Sequence, residues 1–161
     1  MAEIIKVGMA DLKVCKAPDA LTTLGLGSCV GIALWDTASG VGGLAHIMLP
    51  DSTKIKNNSN RYKFADSAID ELIREVVAHG AARSRIKAKI VGGASMFAFQ
   101  SQNEEMQIGK ANVDAVKIKL KKEGIPLVAE DTGGSRGRTI VFYPQTGRIH
   151  IRVVDKPEYD I

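Results

Sequence analysis

The sequence predicts an α/β (α+β) fold, a single-domain sandwich of mixed β-sheets with two main helices, spanning residues 1–161. Three observations lead there. Short apolar runs rich in β-branched residues and bounded by glycine recur along the chain, as buried strands do. Two other segments place their apolar residues at helical spacing. The last two apolar runs alternate around Gln145-Thr146-Gly147, the pattern of a hairpin. Strands first, helices interposed and a hairpin at the end suit sheets packed face to face with helices on one side.

Taken in order, residues 4–9 and 12–15 read as two short strands around Gly8–Asp11, and Pro18-Asp19 makes a loop. Thr22 to Gly27 reads as a glycine-punctuated turn. Residues 30–35 and 41–49 are strands joined by Asp36-Thr37-Ala38-Ser39-Gly40, and Pro50-Asp51-Ser52 ends the second. "KIKNNSN" (54–60) is a polar surface loop. Phe64, Ala65, Ala68, Ile69, Leu72, Ile73, Val76 and Val77 recur at helical spacing, with Gly80 where a C-terminal cap belongs. A strand over 86–91 runs into Gly92-Gly93. Val113, Val116, Ile118 and Leu120 mark a second helix over 112–122, ended by Gly124; strands are expected over 125–129, 139–143 and 148–154. No repeat, linker or low-complexity tract divides the chain.

Composition narrows the classes of function. The chain is 45% hydrophobic and 25% charged, with a net charge of +4, ordinary for a globular protein. No apolar run approaches the roughly 18–20 residues of a membrane span. The N-terminus lacks the basic and long apolar regions of a signal peptide. No membrane insertion and a cytoplasmic location are therefore expected. Its 2 cysteines, Cys15 and Cys29, make no disulfide framework, and with 3 scattered histidines they make no zinc spacing. No metal and no cofactor are expected. Lys110, Lys117, Lys119, Lys121 and Lys122 form either a solvated helix face or a landing strip for an acidic partner. No basic–aromatic interleaving accompanies them, so nucleic acid is not an expected partner.

Chemistry concentrates between residues 22 and 46. Cys29 follows a glycine-rich turn, and His46 lies in the next apolar run. A free thiol is mostly protonated at neutral pH, and an imidazole in reach can accept its proton. The spacing suits two neighbouring strands, so the two side chains could face each other across the pair. Each residue also has a plain alternative: a small buried thiol, and a hydrogen-bonded core histidine. Ser28 could serve an oxyanion site through its backbone or hydroxyl. "GGSRGR" (133–138) lacks the Gly-Lys-Ser/Thr of a phosphate loop. It is either a tight strand connection or a rim loop on which Arg136 or Arg138 pairs an acidic partner. Met96, Phe97 and Phe99 are either rim or core. His79 suits a helix cap, and His150 a sheet position.

"TLGLGSCVGIALWD", "GGLAHIMLPDS", "IVGGASMF", "IGKAN" and "EDTGGSRGRTIVFYPQTGRI" resemble the CheD family, the chemoreceptor glutamine deamidases of bacterial and archaeal chemotaxis. The resemblance runs from about residue 22 to residue 150. It implies a cysteine hydrolase that converts selected receptor glutamines to glutamate. By it, Cys29 is the nucleophile, His46 the base and Thr23 the residue that orients the histidine. It also implies docking to the chemotaxis phosphatase CheC, which competes with receptors. One departure is Ala111, where the family pattern usually has arginine. The residues leave two alternatives open: a mainly binding module acting on a CheC-type phosphatase, or another thiol amidohydrolase or peptidase.

Overall fold

A computed structural model of the chain describes residues 2–95 and 104–161. Its elements are β1 (Ile4–Lys6), β2 (Asp11–Lys16), β3 (Ala20–Leu26), β4 (Val30–Asp36), β5 (Val41–Ile47), α1 (Ala65–Ala78) and β6 (Lys87–Gly92). They continue with α2 (Glu104–Lys122), β7 (Leu127–Thr132), β8 (Arg138–Tyr143), β9 (Arg148–Arg152) and β10 (Tyr159–Asp160). The strands make two five-stranded sheets, ordered β1-β3-β8-β9-β10 and β2-β5-β4-β6-β7. Both are mixed: β1 pairs parallel with β3 and β6 with β7, while the other pairs are antiparallel. The predicted α+β sandwich of mixed sheets with two main helices is present.

Burial patterns follow from the layers. Strands β4 and β5 are buried at every position because both faces of their sheet are covered. Val30, Ile32 and Leu34 face one core with Ala68, Ile69, Leu72 and Val76 of α1 and Val116 and Leu120 of α2. Ala33, Trp35 and Leu44 face the other, against Leu21, Ile140, Phe142 and Ile149 of the second sheet. Strands β8 and β9 instead alternate buried with less buried positions, since only one face of their sheet is packed. Helix α1 ends as its sequence predicts. Gly80 takes φ +120°, and the amides of Gly80 and Ala81 reach back to the carbonyls of Val77 and Val76.

The structure changes or adds to the sequence reading at four places. Thr22 to Gly27 belongs largely to strand β3, which carries a bulge between Thr23 and Leu26. Glycines at 25 and 27 suggest a turn locally, but pairing with β1 and β8 holds the segment extended. The strands either side of Gly8 enter different sheets. Helix α2 begins at Glu104 and not near 112. Strand β10, too short to leave a periodic signal, pairs with β9, and His150 bridges Asp160 and Glu158 at 2.6 Å each. Three lysines of α2 are paired within the chain: Lys110 with Asp114, Lys117 with Glu130, and Lys119 with Asp70 and Glu123.

Asp36, at the end of β4, is 1% exposed and accepts from the Arg85 guanidinium at 2.8 and 2.9 Å and from the amides of Ala82 and Ala38. The hydrogen-bonded Arg85 side chain holds its carboxyl well below the ordinary 3.8. The folded state therefore binds fewer protons there than the unfolded one. The stability it contributes is complete above about 3.8 and is lost as pH falls through the folded value. Asp36→Ala should cost about 3 kcal/mol in urea unfolding at neutral pH. A loss under about 1 kcal/mol would contradict this reading.

Candidate active site

Strands β3 and β5 bring Thr23 and His46 together from opposite sheets. Both are fully buried. Thr23 Oγ1 lies 2.7 Å from His46 Nδ1 and 2.8 Å from the Val7 carbonyl oxygen. A hydroxyl has one proton, and the carbonyl can only accept. The hydroxyl therefore donates to Val7 and accepts from Nδ1–H. That assignment leaves Nε2 as the bare, basic nitrogen, and Nε2 is buried without a hydrogen-bond partner among the described residues.

Cys29 immediately precedes β4. Gly31 pairs with His46 and Val30 with Ile47. The ladder ends at Val30 opposite Ile47, so Cys29 and His46 each adjoin its last pair. Cys29 belongs to the core between the sheets, the side on which His46 meets Thr23. Gly31, directly opposite His46, adds no side chain between them. The turn that carries Cys29 is held by Gly93 N–H to the Cys29 carbonyl, 2.9 Å, and by Ala94 N–H to the Gly27 carbonyl, 2.8 Å. Gly92 is required here. It has φ +118°, and a Cβ would stand 2.3 Å from the Cys29 carbonyl oxygen. Behind it, Gly133 N–H donates to the Gly92 carbonyl and Ser95 N–H to that of Gly134, so the "GGSRGR" connection braces the turn.

The electrostatics differ from a preformed ion pair. Burial pushes the Cys29 thiol up, its own backbone N–H acting weakly the other way. Burial pushes the His46 imidazole down. Both shifts favour the uncharged form of the group, thiol and imidazole alike. Cys15 is pushed to about 11 by burial and by the charge of Asp19. Both cysteines are free thiols.

The family model for CheD, chemotactic sensory transduction, matches residues 48–153, more than half of the chain. The chain belongs to the CheD family. A protein of Lachnoclostridium phytofermentans named probable chemoreceptor glutamine deamidase CheD is 56% identical over the full length of both chains. The chemoreceptor glutamine deamidase CheD of Halalkalibacterium halodurans is 52% identical, again over the whole of both. A probable chemoreceptor glutamine deamidase CheD of Caldanaerobacter subterraneus is 54% identical over 95% of this chain and 94% of its own. The model match begins after Thr23, Cys29 and His46, whereas the two full-length matches include that segment.

The other candidates fall in varied places within this CheD chain. Ser28 precedes Cys29, and its carbonyl accepts from Asn112 of α2 at 2.9 Å. Arg138 is 9% exposed and spends its guanidinium on Asp131 and on the Gly92 carbonyl, so its acidic partner is internal. Met96, Phe97 and Phe99 lie outside the described residues. Thr22 donates to the Ile140 carbonyl, away from His46. His79 caps α1 with Nδ1 2.8 Å from the Glu75 carbonyl oxygen. Ala111 is half-buried on α2 beside Asn112. Sequence reasoning missed the Val7 carbonyl and Asn112. An asparagine among Gly109, Val113 and Val116 on a buried helix face was the available signal. Among the described residues, no group of three or more His, Cys, Asp and Glu is arranged to hold a metal ion. No described helix is long and apolar enough to cross a membrane.

Iodoacetamide should alkylate Cys29 faster than Cys15 near neutral pH, because Cys29 adjoins the end of β5 that carries His46, whereas Cys15 pairs with Gly42 towards its other end. Peptide mapping against time reads this. Equal rates would remove the reason to regard Cys29 as activated.

Proposed function

We propose that this CheD chain hydrolyses the side-chain amide of selected chemoreceptor glutamines to glutamate, with Cys29 as nucleophile, His46 as base and acid, and Thr23 holding the imidazole. The names of its close full-length relatives support the substrate and the reaction. The observation that carries the residue roles is the Val7–Thr23–His46 chain, which leaves a buried, unpartnered Nε2 on the face that Cys29 shares.

The steps balance without a cofactor. His46 Nε2 takes the thiol proton as Cys29 sulfur bonds to the amide carbon. The imidazolium returns that proton to the departing nitrogen, which leaves as ammonia, and a glutamyl thioester remains. Nε2 then takes a proton from water as its oxygen attacks the thioester carbon. The thiolate leaves and is reprotonated. Thr23 stabilises the imidazolium less than a carboxylate would, which suffices for a nucleophile as acidic as a thiol.

Incubation with a receptor cytoplasmic fragment, followed by peptide mass spectrometry, tests this. Chosen glutamines should gain the mass of an amide-to-acid exchange. Cleaved or cross-linked fragments would favour a peptidase or transferase instead. The resemblance adds a second occupant of the same mouth, a CheC-type phosphatase, and a cytoplasmic place of action. Such a partner offers no reactive glutamine and should inhibit competitively, and Cys29→Ala protein should still bind it.

A further inference from the structure

Helix α2 meets the site along one face. Gly109 lets it lie on the loop after β6: a Cβ there would stand 2.5 Å from the Ala94 carbonyl oxygen and 2.6 Å from that of Gly93. On the same face, Asn112 is fully buried. Its Nδ2 donates to the Ser28 carbonyl at 2.9 Å and to the Met48 carbonyl at 3.0 Å. An amide nitrogen has two protons, and both are used.

The two acceptors are informative. Ser28 is the residue before Cys29, and Met48 lies two past His46. Both sit just outside strands β4 and β5, whose ladder stops at Val30 and Ile47. Beyond that pair, the Asn112 amide group replaces the ladder as the link between the two chains. The His46 Nε2 atom has no partner in the described residues, so a direct hydrogen bond to the thiol does not set the separation of the two groups. Asn112 Oδ1 is itself buried and unpartnered, a costly arrangement that makes sense for a residue held in place by its two donors.

We infer that Asn112 is a positioning residue: by tying the Ser28 and Met48 carbonyls together, it holds the Cys29 turn and the His46 strand at the separation the chemistry requires. It touches neither reacting group. Its effect passes through the backbone on either side of the pair, and a misplacement of about 1 Å at such a pair costs on the order of 100-fold in rate. The inference rests on the proposed deamidase reading for its kinetic arm alone.

The test follows iodoacetamide labelling of Cys29 against pH in wild type, Asn112→Leu, His46→Ala and the double variant, with circular dichroism on each. Leucine approximates the volume of asparagine and donates nothing. Folded Asn112→Leu should label Cys29 about tenfold more slowly near neutral pH and should add nothing in the His46→Ala background, because it acts through the pair. Asn112→Gln, which keeps both donors, should recover much of the wild-type profile, and it carries the comparison if the leucine variant does not fold. In deamidation of a receptor fragment, kcat should fall about 100-fold with KM changed less than about threefold. Wild-type labelling in folded Asn112→Leu, or equal slowing with and without His46, would overturn the inference. If wild-type protein deamidates no receptor fragment, the functional reading fails, while the labelling arm still decides the role of Asn112.

Discussion

Cys29→Ala is expected to lower receptor deamidation by at least about four orders of magnitude while leaving the fold intact. Removing a nucleophile removes the covalent route altogether, and the residual rate is only what binding and nearby dipoles supply to water attack. The fold should tolerate the change. Cys29 sits outside the strands, the turn is held by its carbonyl and those of Ser28 and Gly27, and alanine preserves all three. His46→Ala should show a comparable loss, because residues that act as a unit do not lose rate additively. Kinetics on receptor fragment, with circular dichroism beside them, read both. Substantial turnover by folded Cys29→Ala protein would sink the nucleophile assignment.

Thr23→Val should be the second large effect, on the order of 100- to 1000-fold in kcat. Valine keeps the shape and loses the hydroxyl. The Val7 carbonyl then has no side-chain donor, and the imidazole Nδ1–H has no acceptor, in a place where both are buried. The ring is free to carry its proton on Nε2, and in that tautomer it cannot accept from the thiol. The two unpaired groups should also cost about 1–3 kcal/mol each in stability. Thr23→Ser restores the hydroxyl and should recover most of the activity. A valine variant within a few-fold of wild-type kcat would show that the hydroxyl does not govern the imidazole.

Much of the fold was legible locally because period reports burial. The apolar stripe of α1 and its Gly80 cap are where the spacing puts them. Strands β4 and β5 read as continuous apolar runs because both faces are covered. Errors arose where pairing overrode local signals. Glycines at 25 and 27 suggested a turn, yet β8, far along the chain, keeps that segment extended around a bulge. The start of α2 was missed because the residues ahead of 112 show little apolar period, whereas Gly109 and Asn112 face other strand ends.

By itself the sequence determined the kinds of element and the family resemblance. It also put a cysteine after a glycine-rich segment and a histidine in the next strand. Periodicity records which face of an element is buried, and motif spacing records which residues can be neighbours. Neither records what lies across the interface. Only the tertiary structure decided that β3 packs over β5 so that Thr23 meets His46. Only there does the Val7 carbonyl claim the one hydroxyl proton and thereby set the tautomer. The bond from Asn112 to Ser28 spans 84 residues, and such contacts form only when both sheets and α2 have closed on one core. The residue types at Cys29 and His46 are written locally, while their geometry is a property of the assembled layers.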